Sequence, residues 1–175
     1  MHQPHPQVIN FVSLALLVGC ATHPPTAPPD VPAALRAPKD QSLVLEALAT
    51  GVQIYECSQR ADSAYEWVFK APEASLASRT GQILGRHYAG PTWQSNDGST
   101  VIGELKARDP GPNSTAIPWL LLTAKTTTGS GTFMSVKSIQ RVATVGGVAP
   151  APACTANNLK QVARVPYTAT YYFYR

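Results

Sequence analysis

Beyond Lys39 the chain is written in period two, and no stretch sustains the 3.6-residue period of an amphipathic helix. In GVQIYECS (51–58), Val52 and Ile54 share one face, while Tyr55 and Cys57 share the other. In AYEWVFKA (64–71), Tyr65, Trp67 and Phe69 point one way and Glu66 and Lys70 the other. STVIGELKA (99–107) sets Val101 and Leu105 opposite Glu104 and Lys106. Successive side chains on a strand point to opposite faces, so each stretch predicts a half-buried strand. IPWLLLTA (117–124) is almost continuously apolar, as expected of a strand covered on both sides. SVKSIQRVAT (135–144) and YTATYYFYR (167–175) are rich in β-branched or aromatic residues and predict two more strands. SLVLEALAT (42–50) fits a short helix or a first strand equally well. In the tail, alternation puts Tyr171 and Phe173 on one face and Tyr172 and Tyr174 on the other.

Turn signals separate these segments: Asn96-Asp97-Gly98, Asp109-Pro110-Gly111-Pro112, Gly129-Ser130-Gly131 and Gly146-Gly147. The first predicts a tight hairpin joining 92–94 to 100–107. Only 14% of residues are charged, fewer than the roughly 25% of an ordinary soluble domain, and 44% are hydrophobic. Strands and packed loops account for that balance better than long solvated helices. The expected fold is all-β: one single-domain sandwich or partly closed barrel of short antiparallel strands. The formal charge of +4 comes from dispersed basic residues, with no basic run of the kind that nucleic-acid binding requires.

The succession GVQIYEC, YEWVFKAPEASL, GRHYAGPTW, IPWLLL, IQRV and VPYTATYYFY closely resembles a family of secreted bacterial and fungal proteins known only as a domain of unknown function. The resemblance runs from about Leu43 to Tyr174. It implies a β-rich extracytoplasmic domain and brings with it no reaction and no catalytic residues.

Ahead of that domain, VINFVSLALLVG (8–19) is an apolar run of twelve, too short for the roughly 20 residues of a membrane-spanning helix. Its length suits the apolar region of a secretory signal. It leads into Leu17-Val18-Gly19-Cys20, which resembles the bacterial lipobox, where the cysteine sulfur receives a diacylglyceryl group and becomes the acylated N-terminus. The start, MHQPHPQ, departs from the pattern in having no Lys or Arg, only His2 and His5. After Cys20 comes the Pro/Ala-rich ATHPPTAPPDVPAALRAP (21–38), which favours extended polyproline geometry and reads as a tether. The expected organisation is a signal peptide at 1–19, a lipidated cysteine and tether at 20–38, and a β domain at 39–175. Several acyl chains at about 0.8 kcal/mol per buried CH₂ would anchor the protein stably to a membrane. Ala21, rather than Asp, after the cysteine resembles lipoproteins sent to the outer membrane of Gram-negative cells.

Two cysteines remain, Cys57 and Cys154, 97 positions apart. In an oxidising compartment they most simply pair, and both fall in blocks of the family resemblance. The alternative is a zinc site with His87 as a third ligand, which lacks a fourth ligand and close Cys spacing.

For chemistry, the richest stretch is GRHYAGPTWQSNDGS (85–99). Arg86, His87, Tyr88, Trp93 and Asp97 form a candidate binding surface, a stacking and hydrogen-bonding platform for an envelope glycan or peptide. The blander reading buries His87 with a hydrogen-bonded tautomer among Tyr88 and Trp93. No nucleophile elbow, metal-ligand group or phosphate-binding loop accompanies it, so no catalytic residue and no cofactor is assigned. The surviving catalytic alternative is an envelope hydrolase acting on glycans through two carboxylates drawn from Glu56, Glu66, Glu73, Glu104, Asp97 and Asp109. The leading expectation is a non-catalytic β domain on a lipid anchor that binds or scaffolds an envelope component.

Overall fold

The structure, a computed structural model, describes residues 30–175 and Ala27. The expected signal, Cys20 and the tether up to Pro29, apart from Ala27, lie outside the described residues.

The predicted alternation is realised in eight strands: β1 Leu43–Gln59, β2 Tyr65–Ala77, β3 Ile83–Tyr88, β4 Thr92–Ser95, β5 Thr100–Asp109, β6 Trp119–Thr128, β7 Ser138–Gly146 and β8 Val162–Tyr174. Each pairs antiparallel with the next, and β1 pairs with β8, so one sheet closes on itself. Among the described residues the only helical turns are two short 3₁₀ segments, Ala33–Leu35 and Ala156–Asn158. The ring is irregular: β1 has 17 residues and β4 has four.

The ambiguous SLVLEALAT segment is strand. It merges with GVQIYECS into β1, longer than the short strands expected. At the junction β2 comes very close to Gly51, where a Cβ would sit 2.1 Å from the Glu73 carbonyl oxygen and 2.5 Å from Ala74 Cα. Only a residue without a Cβ lets the two strands approach so closely. A bulge in β2 opposite Ile54/Tyr55 then changes the inward parity. Phe69, across from Tyr55, shares its face, whereas Pro72, Ala74 and Leu76 face inward beyond the bulge. The hairpin turn at 96–98 falls where expected, between β4 and β5.

The interior core comprises Ala47, Ala49, Leu76, Trp93, Val101, Leu122, Ile139, Tyr171 and Phe173 among others. A second cluster lies outside the ring: Val31 and Leu35 pack on Leu121, Val142, Tyr172 and Tyr174. Both faces of β6 and of the aromatic tail are therefore covered, one by the barrel interior and one by the strap containing residues 31–37. Gln140 Nε2 donates to the Leu35 carbonyl at 2.7 Å and fixes the strap in place. Residues 31–37, expected to belong to the tether, are thus part of the folded unit. Proline content read as extended chain, but Val31 and Leu35 bring enough apolar surface to dock, at about 1.5–3 kcal/mol per fully buried side chain.

Candidate site at the open end of the barrel

The two ends of the ring differ. At the end bearing both the β4–β5 turn and the β6–β7 loop, Phe133 and Val136 fold inward and plug the interior, Phe133 lying 4.7 Å from the ring of Phe173. At the opposite end the interior stays open. A cavity of about 420 Å³ descends from the rim, where Phe69 and Leu105 are exposed, past Leu120 and Leu122 to a floor of His87, Trp93 and Tyr171.

Register builds that floor. β3 turns His87 inward, and its partner across the ladder is Trp93 of β4. The two rings stack at 4.3 Å, only 9° from parallel. Tyr171 of β8 meets both edge-on, at 5.2 and 5.4 Å. Gly103 makes room for the indole, since a Cβ there would lie 2.9 Å from it. His87 is 3% exposed, and its Nδ1 donates to the Thr92 carbonyl at 2.9 Å. Burial pushes its pKa down to about 3, with Arg141 adding to the fall and the Thr92 hydrogen bond opposing it. At neutral pH the ring is therefore uncharged.

Arg141 of β7 also points inward. Its Nε and Nη2 both donate to the Pro118 carbonyl, at 3.2 and 2.7 Å, which sets the plane of the guanidinium. Around the floor, four buried polar atoms lack a hydrogen bond of good geometry: Gln53 Nε2, Trp93 Nε1, Tyr167 Oη and Tyr171 Oη. The two phenols nevertheless interact with each other, Tyr167 also with Gln53 and Tyr171 with Arg141. Burial raises the pKa of both tyrosines, so both phenols keep their protons. An orphaned buried polar group costs about 1–3 kcal/mol, so three on residues lining one cavity call for an explanation.

The five residues expected to form one binding surface fall in three places. His87 and Trp93 are inside the barrel. Arg86 and Tyr88, on the alternate positions of β3, are outside, with the Arg86 guanidinium 5.2 Å above the Tyr88 ring and its Nε donating to Gln94 at 2.8 Å. They border an open outer groove of about 610 Å³ that also contains the Arg164–Glu73 ion pair. Asp97 lies at the plugged end. Its Oδ1 accepts from the Ser99 backbone at 2.8 Å, and its Oδ2 from the backbone and hydroxyl of Thr132 at 2.8 and 2.7 Å. The Ser99 hydroxyl, which also donates to Oδ1, and these hydrogen bonds hold its carboxyl well below the usual range and tie the β4–β5 turn to the β6–β7 loop. Sequence reasoning missed Gln53, Arg141 and Tyr171 as site residues. The signal available was parity: Gln53 shares the inward face of Tyr55 and Cys57, an unusual place for an amide.

The six carboxylates considered for paired catalysis are dispersed. Glu66 pairs with Arg60, Glu73 with Arg164, and Glu56 with Lys70 and Lys160. Asp109 accepts from the Gly111 backbone, Glu104 is exposed, and Asp97 is committed as above. None of the residues lining the cavity is Asp or Glu.

Cys57 and Cys154 are bonded to each other, with Cα atoms 5.4 Å apart. Both sulfurs are thereby consumed, which removes the zinc alternative. The bridge pins the long β7–β8 loop to β1 at the open end, where the Tyr55 hydroxyl donates to the Gly147 carbonyl at 2.7 Å and Trp67 Nε1 to the Pro152 carbonyl at 2.8 Å.

The protein is therefore an eight-stranded antiparallel barrel, plugged at one end and open at the other, a class whose interior is just wide enough for side chains or one small ligand. Residues 38–83 and 78–175 match the family described as Protein of unknown function (DUF3455), and the chain belongs to that family. No curated protein and no solved structure matches it.

Proposed function

We propose that this chain is a lipid-anchored envelope protein whose barrel is a non-catalytic binding module, receiving a small envelope component through its open end. The observation that carries the binding reading is the cavity, whose lining includes three residues with buried polar atoms lacking a good hydrogen bond, Gln53, Trp93 and Tyr171. The outer groove offers less, because Arg86 and Arg164 there already have partners. The anchor rests on the sequence, on the apolar run 8–19 and on Leu17-Val18-Gly19-Cys20. It implies export and a place in the cell envelope, at the outer membrane of a Gram-negative bacterium.

Each half has its own test. Expressed in a Gram-negative host, the protein should incorporate labelled palmitate and fractionate with membranes, and Cys20→Ser should abolish both. Release of unlabelled wild type would end the anchor reading. For binding, residues 30–175 contain every strand and the disulfide, so a Cys20→Ser chain lacking residues 1–19 can be studied without detergent. An anilinonaphthalene dye should bind it with enhanced fluorescence, and Leu105→Trp, at the exposed rim, should block uptake without lowering the melting temperature. Dye binding unchanged by the rim substitution would place the ligand elsewhere.

A further inference from the structure

We infer that the barrel accepts an apolar monocarboxylate, its hydrocarbon part against the leucine wall and its carboxylate at the floor beside Tyr171, Gln53 and Arg141. The inference rests on the binding reading above and adds the chemical class of the ligand.

Three observations carry it. The first is size: at about 30 Å³ per water-sized group, 420 Å³ holds on the order of a dozen non-hydrogen atoms. The second is the polarity of the wall, where Phe69, Leu105, Leu120 and Leu122 supply apolar surface down to the floor. A sugar would leave its hydroxyls unpaired against them.

The third is the sign of the unpartnered groups. Trp93 Nε1 can only donate, as can the Gln53 amide nitrogen, and the Tyr171 phenol retains its proton to donate. Arg141 is the cation nearest the floor, oriented by the Pro118 carbonyl, with Nη1 making no hydrogen bond among the described residues. Lys70, which is paired with Glu56 at 3.4 Å, also lines the cavity, and no Asp or Glu does. Donors and positive charge beneath an apolar wall complement a head that only accepts and carries negative charge. A carboxylate does both, and guanidinium forks match its geometry. An ammonium head would meet Arg141 as a like charge, and an alcohol would satisfy fewer of the donors.

The test compares three molecules with one tail, decanoate, decanol and decyltrimethylammonium, titrated calorimetrically into the Cys20→Ser chain from residue 20 at pH 7.5. Decanoate should bind at least ten-fold more tightly than decanol, and the ammonium should show no saturable binding. Tyr171→Phe removes only the hydroxyl, whose approaches to Tyr167 and Arg141 fall short of good hydrogen-bond geometry in the unliganded barrel. The variant should therefore melt at the same temperature or higher, while its decanoate affinity falls about ten-fold, as for loss of a hydrogen bond to a charged group. Decanol binding as tightly as decanoate would overturn the carboxylate inference and leave the binding reading standing. Failure of all three to bind would overturn both. Decanoate binding that Tyr171→Phe does not weaken would overturn the placement of the carboxylate.

Discussion

The two ends of this barrel are made from the same strands, yet one is finished and the other is not. At the plugged end, Phe133 and Val136 complete a packed aromatic core with Phe173, and the Asp97 carboxylate has a donor for each oxygen. At the open end, Phe69 and Leu105 are about half exposed, and donors at the cavity floor have no acceptor. The difference separates stability from function. Close packing with satisfied polar groups gives a rigid fold, whereas unsatisfied groups persist only where the rest of the structure offsets their cost. A packed core and a cavity can thus share one sheet by dividing it along its axis.

The largest expected effect is loss of the disulfide, because the bridge is what holds the open end in shape. Closing a loop of 97 residues contributes on the order of 4–5 kcal/mol in the chain-entropy account. Denaturant titration of the double variant Cys57→Ala/Cys154→Ala should show a loss of that size. Hydrogen exchange should localise the remainder of the effect. Amides of 147–161 and the mouth of β1 should lose protection first, and those facing Phe133 last. Uniform loss of protection along β1 would break the comparison, since the two ends would then be a single cooperative unit.

Next in size is a pair of truncations. Phe133→Ala should cost about 3–4 kcal/mol, as for other buried aromatic deletions that leave a cavity. Leu105→Ala, at a residue 54% exposed, should change stability by less than about 0.5 kcal/mol. Equal costs would mean that the mouth closes over Leu105 in solution.

How much of this was legible in the sequence follows from the range of the forces involved. Period-two patterning and turn chemistry are local, so most strands and the 96–98 hairpin could be read directly. Cysteine arithmetic supplied the bridge. What could not be read was whatever depended on closure. The bulge at β2 reverses parity in mid-strand, so Phe69 and Pro72 share an interior that simple alternation denies them. The tail's second aromatic pair, Tyr172 and Tyr174, was recognisable as apolar, but its cover is a strap from residues that composition marked as tether. The site was half legible. GRHYAGPTW contributes His87 and Trp93 to the cavity floor, yet alternation within β3 sends Arg86 and Tyr88 outward and His87 inward. Arg141 and Tyr171 join His87 only because β7 and β8 close the ring, from more than 50 residues away in sequence.

The smallest expected effect concerns the boundary between the two ends, where His87 forms part of the floor. Its folded-state pKa, about 3, lies below the ordinary 6.5. Between those values the unfolded chain binds a proton that the folded one refuses. Stability is therefore fully present above about pH 6.5 and falls as the pH is lowered toward 3. The limiting slope is about 1.4 kcal/mol per pH unit, which gives roughly 2–3 kcal/mol lost between pH 6.5 and 4.5. That interval lies above the range in which the lowered carboxyls of Glu56 and Asp97 take up protons. The groups facing His87 are Trp93 on β4, which does not ionise, Tyr171 on β8, whose pKa burial raises, and the Arg141 guanidinium on β7. Unfolding free energies measured at half-unit steps should show the decline in wild type, and His87→Phe should flatten it whatever its absolute stability. Such a result would show that the imidazole stays dry and uncharged beneath the cavity. A wild-type profile flat down to pH 4.5 would mean instead that the imidazole accepts its proton in the folded state, hydrated from the cavity, and the border between the two ends would move one aromatic layer toward Phe133.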